Sequence, residues 1–195
     1  MHESFLRYTT FSLNQPHTMM DMFSLISSMS PLSPKSLDEF RNITTQKDYP
    51  KGHSLLDFNQ VDRHFHFIVK GSGRVFYLRN GIDITDYIAM DGQFFGGLES
   101  LFTKEPSHKA MELTEDSTIQ SFPFDQFERL CLRYHDIETL CRKMATFAFL
   151  ECQKRIEAIR FFSAAERYEL LEKQYPGSPT ASHSNILQAI WEQHR

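Results

Sequence analysis

Two adjacent glycines are the clearest candidate for binding chemistry in this sequence. Gly96 and Gly97 precede an apolar half-turn that begins at Leu98. Glycine tolerates positive φ angles, which allow consecutive backbone N–H groups to converge on an anion, and a short helix beginning at Leu98 would turn its positive end to the same anion. The stretch therefore predicts a phosphate cradle, although the same residues also suit an ordinary turn.

Two histidines offer a different chemistry. The run His64-Phe-His66 places two imidazoles on one face of a strand, where they could hold a metal ion. A cupin-like metal enzyme also requires a carboxylate a few residues on and a third histidine on a later strand. Lys70 stands near the first place, and His108 falls in a loop. A cupin-like enzyme is therefore only an alternative, and we assign neither catalytic nor metal-binding residues.

The three cysteines do not form a recognisable motif. Cys131, Cys141 and Cys152 are ten and eleven residues apart in a helical stretch. This spacing suits neither a disulfide framework nor a zinc knuckle, and an iron–sulfur cluster needs four thiolates or near substitutes. We therefore expect buried thiols.

Length and charge limit the class of protein. The 195 residues suffice for one well-buried domain with a small appendage, and 21 Lys and Arg against 25 Asp and Glu give a net charge of -4. A stand-alone nucleic-acid binder usually has a basic excess. The sequence has neither an apolar run near the roughly 20 residues that span a bilayer nor a signal peptide, so we expect a cytoplasmic protein without membrane contact.

The candidate loop lies inside a region of alternating hydrophobicity. From about residue 44 to 123, short β-rich runs are separated by glycine turns, and Asn80-Gly81 suits a type I′ hairpin. A helix with Pro34 at its first position precedes them. Several short antiparallel strands at this spacing predict a roll, jelly roll or sandwich.

A long helix follows the strands, after a shorter one at 124–134. Over about 136–160, apolar residues recur in steps of three and four, which gives a continuous stripe. Phe147, Phe149 and Leu150 lie off the stripe, so the helix has apolar surface for its own domain and for a second copy. The alternative is a helix packed only on its own core. The candidate dimer residues are Ile137, Cys141, Met144, Ala148, Cys152, Ile156 and Ile159.

The order of these elements resembles the cyclic-nucleotide-binding domain of the Crp/Fnr family of bacterial regulators. The resemblance covers roughly residues 20–176, and it rests on FIVKGSGRVFY (67–77), GQFFGGLESLF (92–102) and FFSAAERYELLEKQYP (161–176). It implies an α+β fold: an antiparallel β-roll (double-stranded β-helix, or jelly roll) with short N-terminal helices and a long C-terminal dimerisation helix.

The candidate loop departs from the family members that bind cyclic AMP. In those proteins the segment corresponding to 96–110 has a glutamate after its first glycine and an Arg-Ser pair near its end, where this chain has Gly97 and His108-Lys109. Losing such charge-assisted contacts costs about a hundredfold in affinity for each ~2.7 kcal/mol. We therefore expect no binding of cyclic AMP in the usual way. The candidate ligand-binding residues are Gly96, Gly97, Leu98, Glu99, Ser100, His108 and Lys109.

The nature of the effector stays open. The loop could hold a different small anion, or the rings of Phe94, Phe95 and Phe102 could line a pocket for an apolar effector. The alternative is that the pocket has closed around those rings, with Lys109 in solvent and Glu99 in a surface pair. The site requires no cofactor.

The ends of the chain complete the expected organisation. Residues 1–18 have no periodicity and are expected to form a mobile extension, and 19–160 form the β-roll with its dimerisation helix. Residues 161–195 begin with the capping box Ser163-Ala-Ala-Glu166. They are predicted to be a residual helical segment, because the 18 residues after Gly177 are too few for a complete helix-turn-helix.

The combined expectation is a homodimeric, ligand-sensing regulatory module that is not an enzyme. DNA binding through this chain alone is not favoured, and the chain either lacks it or is a piece of a longer regulator. A transcription regulator with a divergent or truncated helix-turn-helix is the nearest alternative.

Overall fold

The computed structural model describes residues 21–163 and 165–166. The helices are α1 (Met22–Met29), α2 (Pro34–Ile43), α3 (Leu98–Thr103), α4 (Phe124–Arg133) and α5 (His135–Phe161). The strands are β1 (Thr45–Tyr49), β2 (Ser54–Leu56), β3 (His64–Lys70), β4 (Ser72–Arg79), β5 (Ile82–Met90), β6 (Phe94–Phe95), β7 (Ala110–Leu113) and β8 (Ser117–Pro123).

The described strands form two four-stranded antiparallel sheets, in the orders β1-β8-β3-β6 and β2-β7-β4-β5. The predicted hairpin joins β4 to β5: Asn80 and Gly81 have φ angles of 55° and 79°, as a type I′ turn requires. Arg79 pairs with Ile82 across this turn. The antiparallel β-roll, the short N-terminal helices and the long C-terminal helix are confirmed.

Alternation along β3 divides the interior into two clusters. Ile68 faces the second sheet, whereas Phe67 and Val69 face the helices. The cluster between the sheets contains Leu56, Ile68, Val75, Ala89, Phe95, Met111, Leu113 and Ile119. The helical cluster contains Met22, Ile26, Phe40, Phe67, Val69, Phe122, Phe127, Leu130, Ile137 and Leu140.

Helices α1, α2 and α4 and the beginning of α5 cover the outer face of the first sheet. Helix α2 begins at Pro34 as predicted, and the Ser33 hydroxyl accepts a hydrogen bond from the Ser36 N–H at 3.3 Å. The α2 ring of Phe40 packs at 5.0 Å between centroids on both Phe122 of β8 and Phe127 of α4. Aromatic packing therefore joins the helices to the sheet.

The first ten residues of α5 are attached to the domain. Ile137 and Leu140 are fully buried, and Lys143 Nζ donates to the Met29 carbonyl oxygen at 2.9 Å. The Asp136 carboxylate accepts hydrogen bonds from the Ser33 N–H at 2.7 Å and the Ser36 hydroxyl at 2.5 Å. Burial alone would raise the pKa of Asp136, but these hydrogen bonds to the charged form outweigh it, and the pKa is lowered.

The rest of α5 has a different environment. Among the described residues 145–161, none is buried. Large exposed apolar side chains lie along this part and just after it: Phe147, Phe149, Leu150, Ile156, Ile159, Phe161 and Phe162.

The turn between β3 and β4 depends on a glycine. Gly71 has φ +108°, and a Cβ atom there would lie 2.1 Å from the Ser117 hydroxyl oxygen and 2.8 Å from the Ser117 Cα. Its N–H donates to the Asp91 carboxylate at 2.6 Å. The two strands can therefore meet at this corner only because residue 71 has no side chain.

The chain after α5 begins with the predicted capping box. The Ser163 hydroxyl accepts from the Glu166 N–H at 3.3 Å, and the Glu166 carboxylate accepts from the Ser163 N–H at 2.8 Å. That backbone hydrogen bond lowers the pKa of Glu166. The predictions for residues 1–18 and for the segment beyond Glu166 lie outside the described residues. No helix in the described part of the chain is both long and apolar enough to cross a membrane.

Candidate functional site

The candidate loop runs from β6 through α3 to the start of β7, and we call residues 94–110 the cassette. The two glycines at its start do not have positive φ angles, and Gly97 has φ −80°. The predicted reason for them is therefore wrong. Gly97 provides space instead, because a Cβ there would lie 3.0 Å from Leu56 Cδ2 and 3.1 Å from an Asp62 carboxylate oxygen.

The Asp62 carboxylate occupies the beginning of α3. Its Oδ2 accepts from the Gly97 N–H at 2.7 Å, and its Oδ1 accepts from the His64 N–H at 3.1 Å. Burial raises the pKa of Asp62, and the hydrogen bonds that it accepts oppose this shift. A phosphate at the Gly97 N–H would either displace the Asp62 carboxylate or lie beside its negative charge. The glycine pair is therefore not a free anion-binding site.

Buried serines hold the rest of the cassette against the segment before β3. The Ser100 hydroxyl accepts from the Asp62 N–H at 3.0 Å and donates to the Glu105 carbonyl oxygen at 2.6 Å. Further along, the Ser107 N–H donates to the Gln60 carbonyl oxygen at 2.8 Å. Ser100 is therefore a structural residue of the cassette.

The predicted residues near the rim point towards solvent. Leu98 is exposed, and the exposed side chains of Glu99 and His108 lie 3.8 Å apart across the cassette. The structure therefore brings Glu99 and His108 together, as a surface pair. Solvent screening makes such a pair weak.

Lys109 makes the most informative contact of the cassette. Its Nζ lies 2.8 Å from the Asp86 carboxylate of β5, and both side chains are about one-third exposed. The Asp86 carbonyl oxygen accepts from Arg155 Nη1 of α5 at 3.4 Å, and the Arg155 guanidinium lies 5.9 Å from the centroid of the Tyr87 ring. One residue of β5 therefore contacts both the cassette and the exposed part of α5.

The aromatic rings of the cassette pack on the domain. Phe95 is buried between the sheets, and Phe94 packs edge-to-face on Phe67 at 5.1 Å between centroids. Phe102 is largely exposed, but its ring lies 4.8 Å from that of Phe124. The apolar surface that remains on the cassette is thus on α3.

The two strand histidines share a face, as expected from their spacing. The rings of His64 and His66 are 6.2 Å apart, and His66 Nδ1 lies 2.8 Å from the Ser121 hydroxyl. Burial, with a smaller contribution from the charge on His64, lowers the pKa of His66 to about 3. His66 is therefore a neutral core residue. Within residues 21–163 and 165–166, no group of three or more His, Cys, Asp or Glu side chains could hold a metal ion.

The predicted dimer residues divide between the two parts of α5. Ile137 is fully buried in its own subunit, so it cannot line a surface between subunits, and this part of the prediction is wrong. Cys141 and Met144 are partly buried and pack against the helical cluster. The remaining four lie on the exposed part of the helix: Ala148, Cys152, Ile156 and Ile159.

Three residues of the site were missed from the sequence. Asp62, Asp86 and Arg155 belong to other segments of the chain, and each contacts the cassette or its partner through a few hydrogen bonds or an ion pair. Isolated polar residues carry no periodic signal, so only the folded chain shows these contacts.

The fold and the cassette agree with a comparison against protein families. Residues 46–134 match the family model of the cyclic nucleotide-binding domain. This part of the chain is therefore similar to the cyclic nucleotide-binding domain. This confirms the resemblance, and the match spans the strands from β1 onwards, the cassette and α4. No curated protein matches the sequence.

Solved structures of Crp/Fnr-type regulators share this fold. The catabolite activator protein of Thermus thermophilus aligns with 18% identity over 83% of this chain and 85% of its own, with a TM-score of 0.53. The c-di-GMP-responsive regulator CLP of Xanthomonas campestris aligns with 10% identity over 76% and 74%, with a TM-score of 0.56. The sensor domain of the transcriptional regulator DNR of Pseudomonas aeruginosa aligns with 16% identity over 71% and 89%, with a TM-score of 0.53.

The β-roll of this chain thus has the expected frame and an altered cassette. The frame is the β-roll with its helical layer. In the altered cassette, the Asp62 carboxylate accepts a hydrogen bond from the Gly97 N–H, and the Asp86 carboxylate forms an ion pair with Lys109. Two carboxylates therefore bind groups of Gly97 and Lys109, which are candidate ligand-binding residues.

Proposed function

We propose that this chain is a ligand-sensing regulatory module of Crp/Fnr type, and not an enzyme. A small effector binds at the cassette, and its binding changes how α5 lies against α5 of a second copy. The observation that supports the proposal is the position of Asp86, between Lys109 of the cassette and Arg155 of α5.

The contacts of Asp86 provide a physical route between the two regions. A ligand group that draws Lys109 away breaks an ion pair of 2.8 Å and leaves the Asp86 carboxylate without this partner. The backbone carbonyl oxygen of Asp86 accepts a hydrogen bond from Arg155 of α5. A shift of β5 at Asp86 therefore changes this contact with the helix. Coupling arises if the effector prefers one of the two arrangements.

The exposed part of α5 supports a homodimer. Ala148, Cys152, Ile156 and Ile159 follow one another in steps of four, four and three, so they share one side of the helix. Phe149 is 60% exposed and Ile159 is 55% exposed in a single subunit. Contiguous apolar surface of this kind is typical of protein–protein contact, and a second copy of α5 buries equivalent residues against one another.

The cassette favours an effector other than cyclic AMP. Gly97 presents its N–H to Asp62, and His108 lies in a surface pair with Glu99, so neither is directed at a cyclic phosphate. Lys109 is the cation of the cassette that is both ion-paired and partly shielded from water. We infer that the effector is a small molecule with one anionic group, which competes with Asp86 for Lys109.

The coupling is tested with a lysine substitution and a matched control. Lys109→Met removes the partner of Asp86, whereas Lys104→Met removes an equal charge from an exposed position of the same cassette. We expect Lys109→Met to change hydrogen exchange in residues 145–161 severalfold and Lys104→Met to leave it unchanged. Equal exchange in the two variants would remove the basis of the coupling.

The effector class is tested by thermal shift. Wild-type protein and the Lys109→Met variant are screened with inorganic phosphate, short carboxylates, fatty acids, cyclic di-nucleotides, cyclic GMP and cyclic AMP, because a ligand that binds only the folded state raises Tm. We expect a small anion to raise Tm in the wild type only. Stabilisation by micromolar cyclic AMP would contradict the proposed effector class.

The dimer is tested by sedimentation velocity. Wild-type protein is expected to sediment as a dimer, and the double variant Phe149→Glu/Ile156→Glu as a folded monomer, because it places charges on exposed apolar positions and leaves the domain core intact. Circular dichroism checks the fold. A wild-type monomer at all concentrations would contradict the dimer.

A further inference from the structure

The edge strand β5 has one residue more than its pairing with β4 requires. Successive register pairs in this part of the sheet are Val75–Tyr87 and Phe76–Thr85. The register therefore passes over Asp86, which is the extra residue of a β-bulge. A bulge bends its strand and redirects side chains, and bulges are frequent at sheet edges and beside functional sites.

Arg74 of β4 holds β5 on one side of the bulge. Its guanidinium donates to both carboxylate oxygens of Asp83 at 2.8 Å and to the Thr85 hydroxyl at 3.1 Å. Its Nε donates to Glu112 of β7 at 2.8 Å, so the same arginine is also tied to the neighbouring strand on the other side of β4. The register pairing resumes directly after the bulge. The strand is thus fixed on both sides of Asp86, and the extra residue is accommodated between them.

The extra residue makes two contacts with different parts of the molecule. The Asp86 carboxylate pairs with Lys109 of the cassette at 2.8 Å, and the Asp86 carbonyl oxygen accepts from Arg155 Nη1 of α5 at 3.4 Å. We propose that the bulge, held by Arg74, is the positioning element of the effector site, because it directs one residue to both the cassette and α5. This inference rests on the proposed function. Arg74 acts through the bulge and is therefore a positioning residue.

A deletion and a substitution separate the bulge from its charge. Deletion of Asp86 makes the register pairs on its two sides consecutive, so we expect this variant to keep the circular dichroism of the wild type and protected amides in β4 and β5. Asp86→Asn keeps the extra residue and its carbonyl group, and it removes only the negative charge.

Hydrogen exchange in residues 145–161 reports the contact with α5. Arg155→Met is combined with the wild type, with Asp86→Asn and with the deletion. We expect Arg155→Met to increase exchange severalfold in the first two, which keep the Asp86 carbonyl group, and to add nothing in the deletion variant. Arg160→Met is the matched control, because it removes an equal charge from an exposed position of the same segment and should change exchange in none of the three.

Limited acetylation of lysines reports the contact with the cassette. Mass spectrometry compares Lys109 with the exposed Lys104 of the same cassette. In the wild type we expect Lys109 to react severalfold more slowly, because its ammonium group has to leave Asp86 first. Both variants at Asp86 should remove this difference. Arg74→Met should also raise the reactivity of Lys109 relative to Lys104, whereas Arg79→Met, at an exposed position of the same strand, should not.

Three results would overturn the proposal. An equal effect of Arg155→Met in the wild type and in the deletion variant would show that the contact with α5 does not depend on the extra residue. A slow Lys109 in Arg74→Met would show that Arg74 does not hold the bulge. An unfolded deletion variant would show that the sheet itself requires Asp86. None of these measurements uses an effector, so a failed search for one counts against the proposed function and leaves these results unchanged.

Discussion

The two ends of α5 belong to the same helix and have opposite surroundings. The first ten residues bury Ile137 and Leu140 and bind α1 and α2 through Lys143 and Asp136. Residues 145–161 contact the domain through Arg155 and expose large apolar side chains. The difference shows that only the beginning of this helix is held by buried side chains of the domain, while its remaining length leaves apolar side chains exposed.

The largest expected effect is at the attached end. Leu140→Ala removes a fully buried side chain from the helical cluster, and we expect it to lower the free energy of unfolding by about 2–5 kcal/mol. Urea denaturation at a protein concentration low enough to keep the chain monomeric measures this loss.

The matched control is at the other end of the helix. Ile156→Ala truncates a residue that is 45% exposed, and in the same dilute experiment we expect a loss below about 1 kcal/mol. At high concentration the order of effects changes, because Ile156→Ala should weaken the dimer. If the two variants lost equal free energy of unfolding in dilute solution, the two ends of α5 would not differ in their contribution to the stability of the domain.

The dependence of stability on pH distinguishes the domain from the exposed part of α5. The domain buries His66, whereas residues 145–161 contain no histidine. The pKa of His66 is about 3 in the folded protein and about 6.5 in the unfolded chain. As pH falls below 6.5, the unfolded state binds a proton that the folded state does not, so stability falls. At pH 4.5 this difference is about 2.7 kcal/mol.

A glutamine at position 66 tests this pH dependence. His66→Gln has no titrating ring and keeps a hydrogen-bonding group for Ser121, so we expect its unfolding free energy to fall less than that of the wild type between pH 6.5 and 4.5. His135→Gln changes an exposed histidine and should retain the wild-type slope. Parallel curves for the wild type and His66→Gln would exclude His66 as the cause.

The smallest expected effect concerns the hydrogen bonds at the start of α5. Asp136→Asn weakens the acceptor of the Ser33 N–H and the Ser36 hydroxyl, and we expect a loss of about 1 kcal/mol. The control is Asp125→Asn, which removes an exposed pair with Arg129 and should cost less than about 0.5 kcal/mol. A greater loss from Asp125→Asn would mean that α5 is not held at Asp136.

The fold could be predicted from the sequence because local patterns and packing agree. Alternation in β3 separates Ile68 from Phe67 and Val69, and Asn80-Gly81 forms the turn that its residues favour. Pro34 likewise marks the start of α2, and Ser163 and Glu166 make the hydrogen bonds that a capping box predicts. Each of these signals depends on neighbouring residues only, which is why a single sequence shows them.

The site was less predictable because its contacts join distant segments. The stripe on α5 correctly indicated apolar surface, but periodicity does not tell which partner covers each residue, and Ile137 is covered by its own domain. Gly96 and Gly97 predicted positive φ angles that the structure does not contain, and at Gly97 the lack of a side chain is explained by close packing. Asp62 and Asp86 decide the chemistry of the cassette, and their sequence neighbours give no hint of it.

Gly71 has a consequence for genetic screens. Any side chain there collides with the backbone of β8 at Ser117, in a conformation that other residues rarely adopt. A screen for inactive alleles would therefore recover substitutions at this codon, although it lies outside the cassette and α5. Such alleles would report lost protein abundance, and immunoblotting would separate them from alleles that change the cassette without loss of protein.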